Sequence, residues 1–165
     1  MTKPTELYVP CIFCRSGIAG KSFFKTAHLS AIYNIAPILP GHSLIIPNSH
    51  YVSLFDLSDE ELSEMMLFAR KITAVLKTVF NCDGFDWTIQ DGVSAGQTVP
   101  HLHMHIIPRK PLDLPESNEW YSQIPKSEES YLDSENRARL NEKEYDEITL
   151  KLKEACARLL KQNLL

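Results

Sequence analysis

The chain has 165 residues, 44% of them hydrophobic and 23% charged, and a net charge of −4. That length and apolar content suit one compact domain with its own core, and the negative balance argues against broad electrostatic attraction to nucleic acid. No apolar run reaches the length of a membrane span, Met1-Thr2-Lys3-Pro4 does not begin a secretory-signal pattern, and four cysteines in that setting point to thiols or metal ligands in a reducing compartment. The expectation is a cytoplasmic protein, or one also nuclear, that engages neither nucleic acid nor membrane.

Along the chain, Cys11-Ile12-Phe13-Cys14 is a lone C-x-x-C, which by itself fits a redox pair, part of a metal site or chance. Residues 23–36 read as one strand entering a second through a short turn, and Pro37, Pro40 and Gly41 mark a reversal. His42-Ser43-Leu44-Ile45-Ile46 is another strand, ended by Pro47. Ser58-Asp59-Glu60-Glu61 has the form of a capping box. The set Leu62, Met66, Ala69, Ile72, Leu76, Val79 and Phe80 recurs at helical spacing and predicts an amphipathic helix over 59–80. Asn81, Asp83 and Gly84 end it before a strand at 85–90, and a loop of small residues from Asp91 to Thr98 follows. From Lys110 to about Ser134 there is no sustained period, which predicts a mobile surface segment. Residues 141–162 read as a second helix with Tyr145, Ile148, Leu152, Cys156 and Leu159 on one face. Cys82 and Cys156 read as buried small hydrophobes. The class is α+β: an antiparallel sheet with one long central helix and a C-terminal helix packed on one side.

The chemistry concentrates at His101-Leu102-His103-Met104-His105, where three of the chain's six histidines fall within five positions. Extended backbone sends alternate side chains to opposite faces, so the three imidazoles project together while Leu102, Met104 and Ile106 form an apolar back. Imidazoles in a row can serve as nucleophile, base, acid or metal ligand near neutral pH. A neutral imidazole can attack phosphorus, and a phosphoramidate intermediate divides one difficult displacement into two easier ones. Backbone N–H groups around Gly92–Thr98, with the Gln97 and Thr98 side chains, offer an anion nest. No P-loop pattern is present in the sequence.

Gln90-Asp91-Gly92, Gly96-Gln97-Thr98-Val99-Pro100 and His101 through Lys110 together resemble the signature of the histidine-triad (HIT) superfamily, and more specifically the fragile-histidine-triad branch of diadenosine polyphosphate hydrolases. The similarity extends upstream through Asn34, Pro37–His42 and Ile46-Pro47, and more weakly downstream to Asn118 and Tyr121, covering about residues 23–121. It divides the chain into an N-terminal segment at 1–22, a HIT core at 23–110, the surface segment at 111–140 and the C-terminal helix at 141–165.

The resemblance implies a catalytic set of His103, His105, His101, Gln97 and His42. His103 would attack the α-phosphorus and carry a nucleotidyl group, and His105 would contact a non-bridging oxygen. His101 would support the geometry or donate on the leaving side, and Gln97 would steer the leaving group and incoming water. His42 would hold the nucleophile's ring in its useful tautomer; without the resemblance it reads equally well as a backbone-bonded strand histidine. Nucleotide contacts are implied for Asn34, Gln90, Gly96, Gln97, Thr98, Val99 and His105, while Tyr33 and Ile35 either line an adenine slot or belong to the core. The C-x-x-C departs from the fragile-triad pattern and resembles other HIT branches, in which Cys11, Cys14, His50 and His101 would hold a structural zinc ion. That would make His101 structural. A divalent cation accompanying the polyphosphate and a homodimer are also implied. The alternatives to a diadenosine triphosphate hydrolase are a nucleoside phosphoramidase of the general HIT type and a nucleotide-binding signalling module with slow turnover.

Overall fold

The computed structural model describes residues 11–113 and 137–165. Five antiparallel strands form one sheet in the order β1-β2-β3-β5-β4: β1 (Ser22–Lys25), β2 (Leu29–Tyr33), β3 (Ser43–Pro47), β4 (Gly84–Ile89) and β5 (Met104–Arg109). Among the described residues three α-helices accompany them, α1 (Ser16–Lys21), α2 (Asp59–Phe80) and α3 (Glu142–Lys161). The two long helices and the antiparallel sheet match the α+β expectation, and α2 spans the anticipated 59–80. The predicted mobile segment falls mostly, and Asn118 and Tyr121 fall wholly, outside the described residues.

Every residue of β2 and β3 is buried, so both faces of the central sheet are covered. On one face Ala31, Tyr33, Ile45, Met104 and Ile106 join Met65, Phe68, Ile72, Leu76, Leu152 and Cys156 of the two long helices. On the other, Ile32, Leu44 and Ile46 pack with Phe13 and Ile18, the latter from α1. Helices therefore cover both sides; the short α1 carries no periodic apolar stripe in the sequence to announce it. Cys82 and Cys156 are buried as expected.

The ends of α2 obey their side chains. Ser58 Oγ accepts the Glu61 N–H (3.2 Å) while Glu61 accepts the Ser58 N–H (2.9 Å), and Asn81 closes the helix with φ 49°. The buried stripe differs from the predicted one: Met65, Phe68 and Val75 face the core beside Ala69, Ile72 and Leu76, whereas Leu62 and Met66 are exposed. A helix apolar at most positions offers overlapping stripes one residue apart, and packing on the sheet selects between them. Helix α3 repeats the capping device through Asn141 and Glu144, and Tyr145 donates its hydroxyl to the Tyr33 carbonyl at 3.1 Å.

Gly41 sits at φ +95°, where a Cβ would lie 2.6 Å from Pro108 Cγ and 3.0 Å from the Phe80 ring. Pro108 itself is tolerated inside the sheet because it lies beyond Ile106, the β5 residue paired with Ser43 at the near end of β3. Turn, strand and helix end thus meet at one glycine. Gly41→Ala combines a left-handed backbone penalty with overpacking and should cost on the order of 3 kcal/mol, read as a lower denaturation midpoint in urea.

Candidate active site

The hydrogen-bonded ladder of β5 begins at Met104, later than the sequence suggested. The residues before it are tied to the 48–57 loop instead, through Leu102 N–H to the Tyr51 carbonyl at 2.6 Å. The alternation survives that change. Leu102, Met104 and Ile106 enter the helix-side core, while the rings of His103 and His105 lie 5.0 Å apart on the opposite face.

Backbone groups decide where each imidazole carries its proton. His103 Nδ1–H donates to the His101 carbonyl at 2.8 Å, leaving Nε2 with a lone pair. The Ile38 N–H donates to His42 Nδ1 at 3.1 Å, so in the neutral ring Nε2 bears the hydrogen and donates to His105 Nδ1 at 2.9 Å. That in turn places the His105 hydrogen on Nε2, a buried atom with no hydrogen-bond partner among the described residues. His42 therefore sets the tautomer of His105, while the His101 carbonyl sets that of the central His103. A buried donor without a partner beside an imidazole lone pair is an arrangement short of an acceptor such as a phosphate oxygen.

Burial also keeps these rings neutral. It holds His42 well below the ordinary histidine range, helped by the charges of His105, Arg137 and His103. It pushes His105 down to about 3, with His103 and Arg137 contributing. His103 is lowered by burial against the opposing pull of its bond to the His101 carbonyl. At neutral pH the site presents one lone pair and one N–H.

The loop before the histidines differs from the expected nest. The N–H groups of Ala95, Gly96 and Gln97 are taken by carbonyls within the loop, and that of Gly92 by Gln97 Oε1 at 2.9 Å. Gln97 also donates to the Val52 carbonyl at 2.8 Å, so its amide is engaged at both ends. Asp91 accepts from Ser53 Oγ and the Leu54 N–H, each at 2.9 Å. Gln97 and Asp91 clamp the 91–98 loop onto the 51–56 turn. Gln90, by contrast, lays its amide against Gly96, where a Cβ would stand 2.7 Å from Nε2, and forms no hydrogen bond among the described residues. Thr98 is exposed and Val99 half-buried.

Asn34 is brought beside the histidines, but its carbonyl accepts the Ala36 N–H at 2.9 Å and its Nδ2 lies 3.3 Å from His42 Nε2. Tyr33 belongs to the helix-side core, with its hydroxyl accepting the Gly41 N–H, and Ile35 is exposed. The apolar surface on the histidine face is instead Ile32, Leu44 and Ile46 with Phe13 and Ile18. A cavity of about 130 Å³ beside it is lined by Phe13, Arg15, Ile18, Lys25 and Ile46.

The four anticipated metal ligands also meet, their donor atoms all within 4.8 Å of one another. His101 Nδ1 is 3.4 Å from each of the Cys11 and Cys14 sulfurs, and Cys14 Sγ is 3.2 Å from His50 Nδ1. Ligand atoms around one tetrahedral zinc ion stand roughly 3.5 Å apart. His101 Nε2–H donates to the Pro47 carbonyl at 3.0 Å, which leaves Nδ1 as the free donor atom facing the sulfurs. Burial and the adjacent Cys11 raise the Cys14 thiol, a cost that a cation between them would relieve. The donor set fits zinc.

The HIT domain model matches residues 15–112. The chain belongs to the HIT family. It is 42% identical over 125 residues to the asymmetrical bis(5'-nucleosyl)-tetraphosphatase of Schizosaccharomyces pombe, an alignment covering 76% of this chain and 66% of that protein. It is 43% identical over 107 residues to the bis(5'-adenosyl)-triphosphatase of Dictyostelium discoideum, covering 65% and 72% respectively. Among solved structures, a Zn-bound histidine triad family protein from Mycobacterium smegmatis superposes with TM-score 0.70 at 25% identity, covering 92% of this chain and 96% of that one. The chain thus spans about two thirds of the length of the S. pombe relative.

The buried neutral rings set a pH dependence. Below the ordinary histidine value of 6.5 the unfolded chain binds protons that folded His42 and His105 refuse, so stability falls as pH drops from there. Thermal melts between pH 8 and pH 5 should show a falling Tm below about 6.5, and a His42→Gln/His105→Gln double variant should show a shallower fall over that window.

Proposed function

We propose that the protein hydrolyses dinucleoside polyphosphates of the diadenosine triphosphate type through a nucleotidyl-histidine intermediate on His103. One observation carries the reading: the lone pair of His103 Nε2 and the partnerless Nε2–H of His105 belong to neighbouring rings on one face. Attack by His103 Nε2 on the α-phosphorus forms a P–N bond as the P–O bond to the departing nucleotide breaks. Water then attacks phosphorus and loses a proton to solvent as the P–N bond breaks, which returns His103 to its neutral Nδ1–H form and releases the nucleoside monophosphate. His105 Nε2–H donates to a non-bridging oxygen, whose charge grows in each transition state, and its proton stays in place. The relatives named as bis(5'-adenosyl)-triphosphatase and bis(5'-nucleosyl)-tetraphosphatase support this substrate class.

The remaining contacts divide between binding and support. Ile32, Leu44 and Ile46, buried beneath Phe13 and Ile18, serve as support for the histidine face. Gln90 reaches the phosphate chain with its unengaged amide, and Gln97 contributes by holding the loop. Arg137, whose charge reaches His42 and His105, offsets polyphosphate charge, with a divalent cation accompanying the substrate. Asn34 supports His42 and turns to the ribose when nucleotide enters; Thr98, Val99 and Gly96 border the phosphates. A cytoplasmic homodimer completes the proposal.

His103→Ala should reduce hydrolysis of diadenosine triphosphate by several orders of magnitude and abolish acid-labile nucleotidyl labelling, with nucleotide affinity retained. Parallel assays with diadenosine tetraphosphate and adenosine phosphoramidate distinguish the phosphoramidase reading, which requires the phosphoramidate to have the highest kcat/KM. Labelling without release would favour the signalling module.

We also propose that Cys11, Cys14, His50 and His101 hold a structural zinc ion, which joins the N-terminal turn to the 48–57 loop; the Zn-bound mycobacterial neighbour supports it. Metal analysis of tag-free protein should find about one zinc per chain. Cys14→Ser should lose the metal and lower Tm by several degrees or more, because binding at such a site is coupled to folding; metal-free protein of unchanged stability would overturn the assignment.

A further inference from the structure

Phe13 lies inside the C-x-x-C turn, which the Cys14 N–H closes onto the Cys11 carbonyl at 3.1 Å. Its ring meets two histidines at once: His101 at 5.7 Å between centroids with planes 89° apart, and His103 at 5.4 Å and 62°. The same residue packs with Ile32, Leu44 and Ile46.

Among the described residues His103 makes one side-chain hydrogen bond, from Nδ1–H to the His101 carbonyl. That bond fixes the tautomer and restrains χ2, which is broad for histidine, from one edge of the ring only. Aim matters for a nucleophile, since misplacement by about 1 Å can cost a hundredfold in rate. Two rings bracket this motion, His105 at 5.0 Å and Phe13 at 5.4 Å. The residues restraining His103 therefore converge on the metal-ligand cluster: His101 supplies the carbonyl while its ring faces the two sulfurs, and Phe13 is flanked by those cysteines.

We propose that Phe13 is a positioning residue for the nucleophile, and that the Cys11–Cys14 turn transmits the state of the metal cluster to the aim of His103 through that ring. The proposal rests on the reading of His103 as nucleophile. It gives the C-x-x-C a part in chemistry that none of its ligands takes directly. A substitution that leaves the cluster's four ligands intact should then disturb His103, and so should removal of metal from the unchanged chain.

The experiment uses the full-length protein at a fixed pH of about 8, where the ordinary histidine is neutral. Phe13→Leu keeps an apolar side chain and removes the ring; Phe13→Tyr restores the ring and serves as the rescue. Single-turnover transfer from diadenosine triphosphate to His103 should slow about ten- to a hundredfold in Phe13→Leu, with KM changed by less than about twofold, and return in Phe13→Tyr. Nitrogen-resolved NMR of the histidine rings gives a readout independent of turnover. Wild type should show one sharp set of His103 ring signals, and both Phe13→Leu and chelator-treated wild type should show those signals broadened by ring reorientation with the Nδ1–H tautomer retained. Equally sharp His103 ring signals in all three samples, or a Phe13→Leu effect confined to KM, would overturn the proposal. If wild type transfers no nucleotidyl group yet the NMR changes occur as stated, the nucleophile reading fails while the link between Phe13, the metal cluster and the His103 ring stands.

Discussion

Three imidazoles in a dry site can do directed chemistry only if each proton has one place to be, and here backbone groups assign those places. The Ile38 N–H forces the hydrogen of His42 onto Nε2, and that hydrogen forces the one on His105 outward. The His101 carbonyl takes the Nδ1–H of His103. Backbone geometry is the least adjustable part of a fold, so this assignment persists as long as β3 and β5 keep their register, in which Leu44 pairs with His105. Burial then removes the competing protonated forms. Much of the rest of the structure serves these conditions: α2 and α3 fill one face of the sheet so that the other can hold the rings, and the Pro37–Gly41 reversal returns the chain so that Ile38 meets His42.

The fold was legible because its signals were redundant. Capping residues at Ser58 and Asn141 coincided with the beginnings of periodic apolar runs, and the observed helices start at the next residue. The histidine face was legible for the same reason, since the alternation of Leu102, Met104 and Ile106 belongs to the core pattern as much as to the site. The choice of stripe on α2 was not legible, because Leu62 and Met66 are as apolar as Met65 and Phe68. Only the sheet's shape separates them.

Polar side chains in the loop were harder still. From sequence, Gln90 and Gln97 are two glutamines near the triad, and the resemblance implies that Gln97 acts in catalysis and Gln90 contacts nucleotide. In the structure Gln97 bonds its own loop and the Val52 carbonyl, and its amide is consumed there. Gln90, at the end of β4, remains available. Asn34 shows the same effect, with its amide carbonyl turned to the Ala36 N–H. Short-range backbone partners compete for polar side chains in loops, and no periodicity in the sequence records who wins. The Cys/His cluster escaped this ambiguity because its four donor atoms come from positions far apart in the chain and still meet within 4.8 Å of one another, so their convergence is informative.

That convergence also bears on how the histidine side of the sheet is held. The helix side rests on a large apolar core, whereas among the described residues the histidine side has Phe13 and Ile18 packed on three apolar residues. So small an apolar area, at roughly 25 cal/mol per Å², offers weak restraint to an N-terminal turn. A four-ligand cluster joining residues 11–14, 50 and 101 would anchor that turn with bonds whose strength does not depend on buried area. The loop at 91–98 meets the same problem with polar bonds, through Asp91 and Gln97 to the 51–56 turn. Both devices end on the segment between β3 and α2, which becomes the strut holding the Cys11–Cys14 turn on one side and the 91–98 loop on the other. Because Leu102 N–H also donates into that segment at Tyr51, the strut is tied by backbone to the residue next to His103, while the Phe13 ring meets His103 from the other direction.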